Sequence, residues 1–246
     1  MLAILLMIVA AFAAGALNAV AGGGSFLTFP ALVFAGVPPV AANATSTVAV
    51  CPGALASAYG YRNELGRLTE VNLPSFVGIS LVGGLLGALL LLWTPDATFD
   101  TIVPWLLLFA TALFAAGPKL AAWIRKRMHL GPVGVLVVQF FIAVYGGYFG
   151  GGIGILMLAT FGVFGLTDIH AMNGLKTLLS GCLNAIAVVA FVAGGAVHWN
   201  EAIIMLVACV AGGYAGARIA RHIPPPYLRK FVILVGSAMT VYFFVT

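Results

Sequence analysis

Apolar residues run almost without interruption along this chain, in windows of about 20 residues separated by short stretches with glycine, proline or charged side chains. A helix of about 20 residues crosses about 30 Å of hydrocarbon at 1.5 Å per residue. The pattern therefore predicts an all-α protein built from membrane segments. The predicted helices span residues 2–21, 26–35, 42–61, 73–93, 101–123, 131–149, 153–164, 171–193, 201–220 and 227–244.

Two of these predicted helices, 26–35 and 153–164, are too short to cross a membrane alone. Each follows a glycine cluster, at 22–24 and at 150–154, where an uninterrupted helix is unfavourable. We therefore expect a short or broken helix after a glycine-rich turn at two places in the chain.

The composition excludes a soluble globular domain. Of the 246 residues 63% are hydrophobic and 7% are charged, against roughly 25% charged residues in ordinary soluble domains. The first apolar run has no basic segment before it and is interpreted as a retained helix, not as a cleaved signal peptide. Cys51, Cys182 and Cys209 lie in apolar windows without disulfide or metal-ligand spacing, and we expect them to pack as small hydrophobic residues.

The net charge of +5 comes from Lys and Arg gathered in loops, at 62–67, 119–129 and 218–230. The turns between these loops, near 94–100 and 194–200, contain neither Lys nor Arg. Positive loops mark the cytoplasmic face, so the pattern predicts about 8–10 membrane segments of a multi-pass protein with both termini outside. The basic residues indicate orientation among membrane lipids and no nucleic-acid partner.

The chain is internally duplicated with a register of 130 residues, which places Asn43 on Asn173 and Thr47 on Thr177. Each half holds an odd number of predicted crossings, so the second half is predicted to be inverted relative to the first. The predicted units are a first transmembrane repeat at 1–123, a cytoplasmic basic linker at 124–130 and a second transmembrane repeat at 131–246. Inverted repeats with broken helices are typical of secondary transporters, whereas duplication alone is also compatible with a scaffold or a channel.

Lys176 is the central candidate for function. A cation at the centre of a membrane helix costs about 2.5–3.5 kcal/mol, and Asp168 at the start of the predicted span is the nearest upstream carboxylate. The ammonium is therefore predicted to bind an anion reversibly. The alternative is a lysine whose aliphatic stem lets the charge reach the membrane interface.

The residues around the glycine clusters favour a small-anion site. A helix that begins inside the membrane has unpaired N–H groups and a partial positive charge at its first turn. Hydroxyl and amide side chains add donors, and the register places Ser46 opposite Lys176. Asn184 lies two turns beyond Lys176 on a similar face, and a helix-packing amide is the alternative role for it. The candidate substrate-binding residues are Asn18, Gly22, Gly23, Gly24, Ser25, Asn43, Ser46, Thr47, Gly152, Gly154, Asn173, Lys176 and Thr177.

Asp168 and His170 precede the Lys176 helix. Asp168 is predicted to be its N-terminal cap and His170 a loop residue, and proton coupling is the alternative role for both. The predicted spans contain no clustered His or carboxylate set and no nucleophile–base pair, which predicts a protein that is not an enzyme, with no cofactor and no metal.

The paired motifs GGGSFLTFPALVFAG with AANATSTVAVCPGALASAYGYRNEL, and GGGIGILMLATFGVFGL with AMNGLKTLLSGCLNAIAVVAFVAGGAVHW, resemble the TauE/SafE family of membrane transporters. The resemblance covers nearly the whole chain and includes Asn43, Asn173 and Lys176. Thr160 departs from the pattern, because Pro30 stands at this position in the first half. The resemblance implies export of sulfite or organosulfonates such as sulfoacetate through the bacterial inner membrane without an ATPase.

The main hypothesis is therefore a secondary exporter of a small sulfur-containing anion that works by alternating access. An anion channel, or a transporter of another small organic anion, would share the same cationic site. The sequence leaves open the preferred anion, proton coupling, and whether the protein works alone or as a homodimer.

Overall fold

The computed structural model describes residues 2–20, 23–66, 68, 71–125, 130–219 and 225–245. In these residues the chain forms helices and no strands. The helices are α1 (Leu2–Val20), α2 (Ser25–Phe34), α3 (Pro39–Gly60), α4 (Arg62–Leu65), α5 (Leu73–Trp93), α6 (Asp96–Arg125), α7 (Pro132–Tyr148), α8 (Ile153–Phe164), α9 (Ile169–Ala193), α10 (Trp199–Ile219) and α11 (Pro225–Val245). The all-α prediction is confirmed, and α5 and α8 begin and end at the predicted residues.

Five predicted helix starts were two to five residues late, including those of α10 and α11, which begin at Trp199 and Pro225 instead of residues 201 and 227. α3 begins at Pro39 and α9 at Ile169, in stretches assigned to loops, and α6 begins at Asp96 instead of residue 101. Proline suits the first position of a helix because the N–H that it lacks would be unpaired there. Asp168 caps α9, as predicted, by accepting hydrogen bonds from the amides of His170 (2.8 Å) and Ala171 (3.3 Å).

The apolar surface identifies a membrane protein. Three helices are long and apolar enough to cross a membrane, at Leu73–Trp93, Asp96–Gly117 and Ile169–Ala193. Outer faces of the helices expose large hydrophobic side chains, such as Val133 with 75% of its surface accessible. Apolar surface on this scale is unfavourable in water and favourable in lipid.

The short helices α2 and α8 have 10 and 12 residues, which confirms the prediction that neither can span the hydrocarbon alone. α2 is held inside the protein by aromatic contacts, in which the ring of Phe29 packs edge-on against Phe99 and Phe149 and stacks on Phe243. Its start is therefore fixed relative to the other helices.

The helices pack in pairs that respect the duplication. α1 packs along α10 and α5 along α7, while α3 packs on α9 and α6 on α11. Exchanging the halves replaces α1 by α7, α3 by α9, α5 by α10 and α6 by α11. This exchange turns the pair α1 and α10 into the pair α7 and α5, and it leaves the other two pairs unchanged. The halves are interleaved, since α5 of the first half lies on α7 of the second.

The equivalent helices α3 and α9 run antiparallel where they meet. Gly181 of α9 lies against Leu55, and Gly174, nearly two turns earlier, lies against Tyr61 just beyond the end of α3. Two equivalent helices that cross in opposite directions are related by an axis perpendicular to them. This geometry supports the predicted inverted repeat.

Glycines allow the paired helices to approach closely, as their small-xxx-small spacing predicts. A Cβ added at Gly83 would lie 2.8 Å from the Phe140 carbonyl oxygen, and one added at Gly87 would overlap the carbonyl of Val144. On the equivalent pair, a Cβ at Gly212 would overlap the carbonyl of Phe12. Backbone-to-backbone contact therefore holds α5 on α7 and α10 on α1.

Candidate anion-binding site

An internal cavity of about 90 Å³ lies where the two halves meet. The starts of α2 and α8 and the helices α3 and α9 line it, with contributions from α1 and α6. The lining residues are Asn18, Gly23, Ser25, Val50, Ala54, Ser57, Phe114, Gly150, Gly152, Ile153, Gly154, Ile155, Lys176, Thr177, Ser180 and Asn184.

Lys176 lies in this cavity together with residues of the first half. Its stem crosses the start of α8, because a Cβ added at Gly154 would lie 3.2 Å from the lysine Cδ. Its Nζ donates a hydrogen bond to Asn173 Oδ1 at 2.9 Å. An ammonium has three N–H donors, so this bond leaves two for other acceptors.

Lys176 has no carboxylate within 4 Å among the residues that the structure describes. A cation at this position without an ionic partner is costly in the membrane. The cavity can therefore lower its energy by admitting an anion.

Glycine turns line the cavity beside Lys176. Gly23, Gly150 and Gly152 have φ angles of +93°, +81° and +78°, which side chains other than glycine rarely adopt. The turn of the backbone at Gly152 starts α8, whose first bond runs from the Ile155 amide to the Gly152 carbonyl at 3.1 Å. The first amides of a helix have no partner within it, and the partial positive charge at this end favours an anion.

The two long helices contribute equivalent faces of different chemistry. On α9, Ser180 and Asn184 follow Lys176 at successive turns and line the cavity. The equivalent positions on α3 are Val50 and Ala54, which also line it. At these two equivalent positions the cavity wall is thus polar on α9 and apolar on α3.

Several predicted site residues of the first half form hydrogen bonds outside the cavity. Asn43 donates to the Tyr148 carbonyl at 2.8 Å, and the hydroxyls of Ser46 and Thr28 lie 2.6 Å apart in a buried hydrogen bond. Thr47 donates to the carbonyl of Asn43 in its own helix at 2.9 Å. None of these three predicted side chains lines the cavity.

Of the remaining predicted residues, some line the cavity and others only hold a residue that lines it. The Gly24 amide donates to Asn18 Oδ1 at 2.8 Å, so Gly24 anchors a lining residue without lining the cavity itself. Asn173 holds Lys176 and likewise lies outside the lining, whereas Thr177 belongs to it. Gly22 lies outside the described residues.

Sequence reasoning missed Ser57 and Ser180 as lining residues. Asn184, for which the sequence left a helix-packing role open, lies at the cavity wall on the same face of α9 as Lys176. Helical spacing from Lys176 could have found Ser180. No sequence signal marks Ser57, since the register pairs it with the buried Ala187.

Asp168 and His170 are exposed at the start of α9 and do not line the cavity. The observed role of Asp168 is the helix cap described above. Proton coupling through either residue stays a prediction.

The fold and the cavity define a helical membrane protein with a cationic internal site between two equivalent halves. Residues 7–243 match the family model described as sulfite exporter TauE/SafE. The chain belongs to this family, so the protein is a membrane transporter and not an enzyme.

Similar proteins extend over nearly the whole chain. The probable membrane transporter protein YfcA of Escherichia coli K12 is 28% identical over 231 residues, covering 94% of this chain and 85% of that protein. A probable membrane transporter protein of Haemophilus influenzae is 30% identical over 232 residues, covering 93% and 89%. The probable membrane transporter protein ORF9 of Sinorhizobium sp is 29% identical over 245 residues, covering 96% and 90%. No solved structure matches the chain.

Proposed function

We propose that this protein is a secondary transporter that exports a small sulfur-containing anion, sulfite or an organosulfonate such as sulfoacetate, across the bacterial inner membrane. The observation that carries the proposal is the ammonium of Lys176 in an internal cavity, with an amide as its hydrogen-bond partner and no carboxylate within 4 Å in the described part of the chain. The description of the family, sulfite exporter, supports the sulfur oxyanion.

The anion would be held by Lys176, by hydroxyl and amide groups and by the glycine-rich helix starts. Lys176 supplies a compact point charge, and Thr177, Ser180 and Asn184 lie on the same side of the cavity. Amide and hydroxyl donors replace part of the hydration shell of the anion. Alternating access of a multi-pass protein would then expose this site to one side of the membrane at a time.

Export has a simple driving force. An inside-negative potential contributes about 2.3 kcal/mol per charge per 100 mV toward moving an anion out of the cell. A uniporter therefore suffices, and no ATPase is needed.

Efflux from reconstituted vesicles tests this function. Vesicles loaded with sulfite or sulfoacetate are held at a fixed membrane potential, and release of the anion is measured with and without a pH gradient. We expect saturable release that follows the potential and ignores the pH gradient. Unitary currents in electrical recordings would instead identify a channel, and release that follows the pH gradient would identify proton coupling.

The polar side of the cavity should set affinity for the anion. We expect Asn184→Leu to weaken transport of the preferred anion about tenfold or more, because a hydrogen bond to a charged group is worth about 1.5–3 kcal/mol. The measurement is the anion concentration at half-maximal efflux. Ser237→Ala, at an exposed position of α11 outside the cavity lining, is the control and should leave this concentration unchanged. Equal values for Asn184→Leu and the parent would remove Asn184 from the site.

A further inference from the structure

Asn43 and Asn173 occupy equivalent positions in the two halves but make different contacts. The Asn43 side chain crosses to the other half and donates to the carbonyl of Tyr148, the last residue of α7, at 2.8 Å. The Asn173 side chain stays on its own helix, where it donates to the Ile169 carbonyl at 2.9 Å and accepts from Lys176 Nζ at 2.9 Å.

Local helix geometry does not explain this difference. Each asparagine is the fifth residue of its helix, after Pro39 in α3 and Ile169 in α9. In each helix the threonine four residues later donates to the asparagine carbonyl, at 2.9 Å for Thr47 and 3.0 Å for Thr177. The two side chains differ because different groups lie opposite them.

The first turns of α3 are tied to several other elements. Besides Asn43, the hydroxyl of Ser46 bonds Thr28 of α2, and Thr45 accepts from the His198 amide at 3.0 Å. The Val40 amide donates to Asp96 of α6 at 3.0 Å. Hydrogen bonds thus hold the start of α3 to residues of the other half.

The first turns of α9, which are equivalent to those of α3, form different hydrogen bonds. The hydrogen bonds of Asn173, Lys176 and Thr177 stay within α9. A Cβ added at Gly174 would lie against Tyr61 and Leu65. In a protein made of two equivalent halves, one asparagine that bonds across the halves and one that bonds within its own helix is the arrangement expected of one of two alternating states.

We propose that Asn43 and Asn173 form a two-position latch. In the second state Asn173 donates to the backbone carbonyl of Asn18, which is the register counterpart of the Tyr148 carbonyl, and Asn43 folds back onto α3. This inference rests on the proposed transport function and assigns the pair to switching instead of to direct contact with the anion.

The latch also links switching to the substrate. When Asn173 turns away, Lys176 loses its amide acceptor, and a lone cation in the membrane is costly. An anion in the cavity replaces that acceptor, so the loaded protein changes state more readily than the empty one. Asn173 is therefore a positioning residue, since it acts through Lys176.

Cysteine labelling at Ala187 measures the second state. Ala187 is buried in this structure, with 1% of its surface exposed. It is the register counterpart of Ser57, which lines the cavity, so Ala187 should line the cavity after the switch. The parent carries Ala187→Cys with Cys51, Cys182 and Cys209 replaced by alanine, and a water-soluble maleimide reports how often residue 187 is accessible.

The two asparagine variants should change the labelling rate of residue 187 in opposite directions. Both variants are compared in a Lys176→Met background, because Asn173 otherwise also holds the ammonium in the present state. There Asn43→Ala removes a bond of the present state and should raise the labelling rate about fivefold, whereas Asn173→Ala removes a bond of the second state and should lower it about fivefold, at about 1 kcal/mol per bond. Asn72→Ala removes the cap of α5, which accepts from the Ser75 amide at 3.2 Å, and should leave the rate unchanged. A rise for both Asn43→Ala and Asn173→Ala would show mere loosening of the fold and overturn the latch.

This experiment distinguishes failure of the latch from failure of the proposed transport function. Labelling of residue 187 requires no substrate, so opposite signs support the latch whatever the anion is. Adding sulfoacetate should change the labelling rate of the parent and not that of Lys176→Met. If neither protein responds while the two signs hold, the latch stands and sulfoacetate is not a ligand of this cavity.

Discussion

Lys176→Met should reduce anion transport roughly 30-fold or more while the protein stays folded. Methionine keeps an unbranched stem of similar length and removes the charge. Losing one partner of a buried, hydrogen-bonded charge pair costs about 2–5 kcal/mol, and each 1.4 kcal/mol is about tenfold. Initial rates of sulfite or sulfoacetate efflux from vesicles, at equal protein content, give this factor.

The stability of the same variant separates binding from structure. Because an isolated cation in a membrane helix costs about 2.5–3.5 kcal/mol, Lys176→Met should unfold at the same temperature as the parent or at a higher one. Lys230→Met, at an exposed lysine of α11 outside the cavity lining, is the matched control and should transport normally. An unfolded Lys176→Met protein would make the lysine structural, and full transport by it would eliminate the proposed anion site.

Gly87→Ala should destabilise the protein by about 1–3 kcal/mol, the usual cost of overpacking a well-packed interior. The added Cβ would overlap the Val144 carbonyl, so α5 and α7 would have to move apart. Unfolding in detergent, followed by helical circular dichroism, measures the loss.

Gly78→Ala on the same helix is the control for Gly87→Ala. A Cβ at Gly78 meets nothing within 4 Å, and alanine is favoured over glycine inside a helix by roughly 0.5–1 kcal/mol. Gly78→Ala should therefore be neutral or stabilising. Equal stability of the two variants would contradict the backbone contact between α5 and α7.

The hydrophobic pattern along the chain was sufficient to predict the helices, because helix formation depends on local sequence. Apolar windows separated by glycine, proline and charge predicted α5 and α8 to the residue. The helix starts at Pro39 and Ile169 were missed because both were assigned to polar or proline-containing loops, where the first turn of a helix has a similar composition.

The candidate site was predictable only in part. Lys176 stood out because a charge in an apolar window is rare and costly, and it does lie in a cavity between the halves. The register paired Asn43 with Asn173, and each is the fifth residue of its helix, yet neither side chain lines that cavity. Equivalence in a duplication says which positions correspond, and it does not say which group each side chain meets.

The amino-acid sequence by itself determined the all-α membrane class, the short helices after glycine turns, the duplication and the unusual lysine, because each follows from local composition or from comparing the chain with itself. Only the tertiary structure decided that Asn184 lines the cavity, that Ser46 bonds Thr28 and that Asn43 reaches Tyr148, which is 105 residues away. A short polar side chain bonds whatever group lies within about 3 Å, and the packing of distant helices chooses that group.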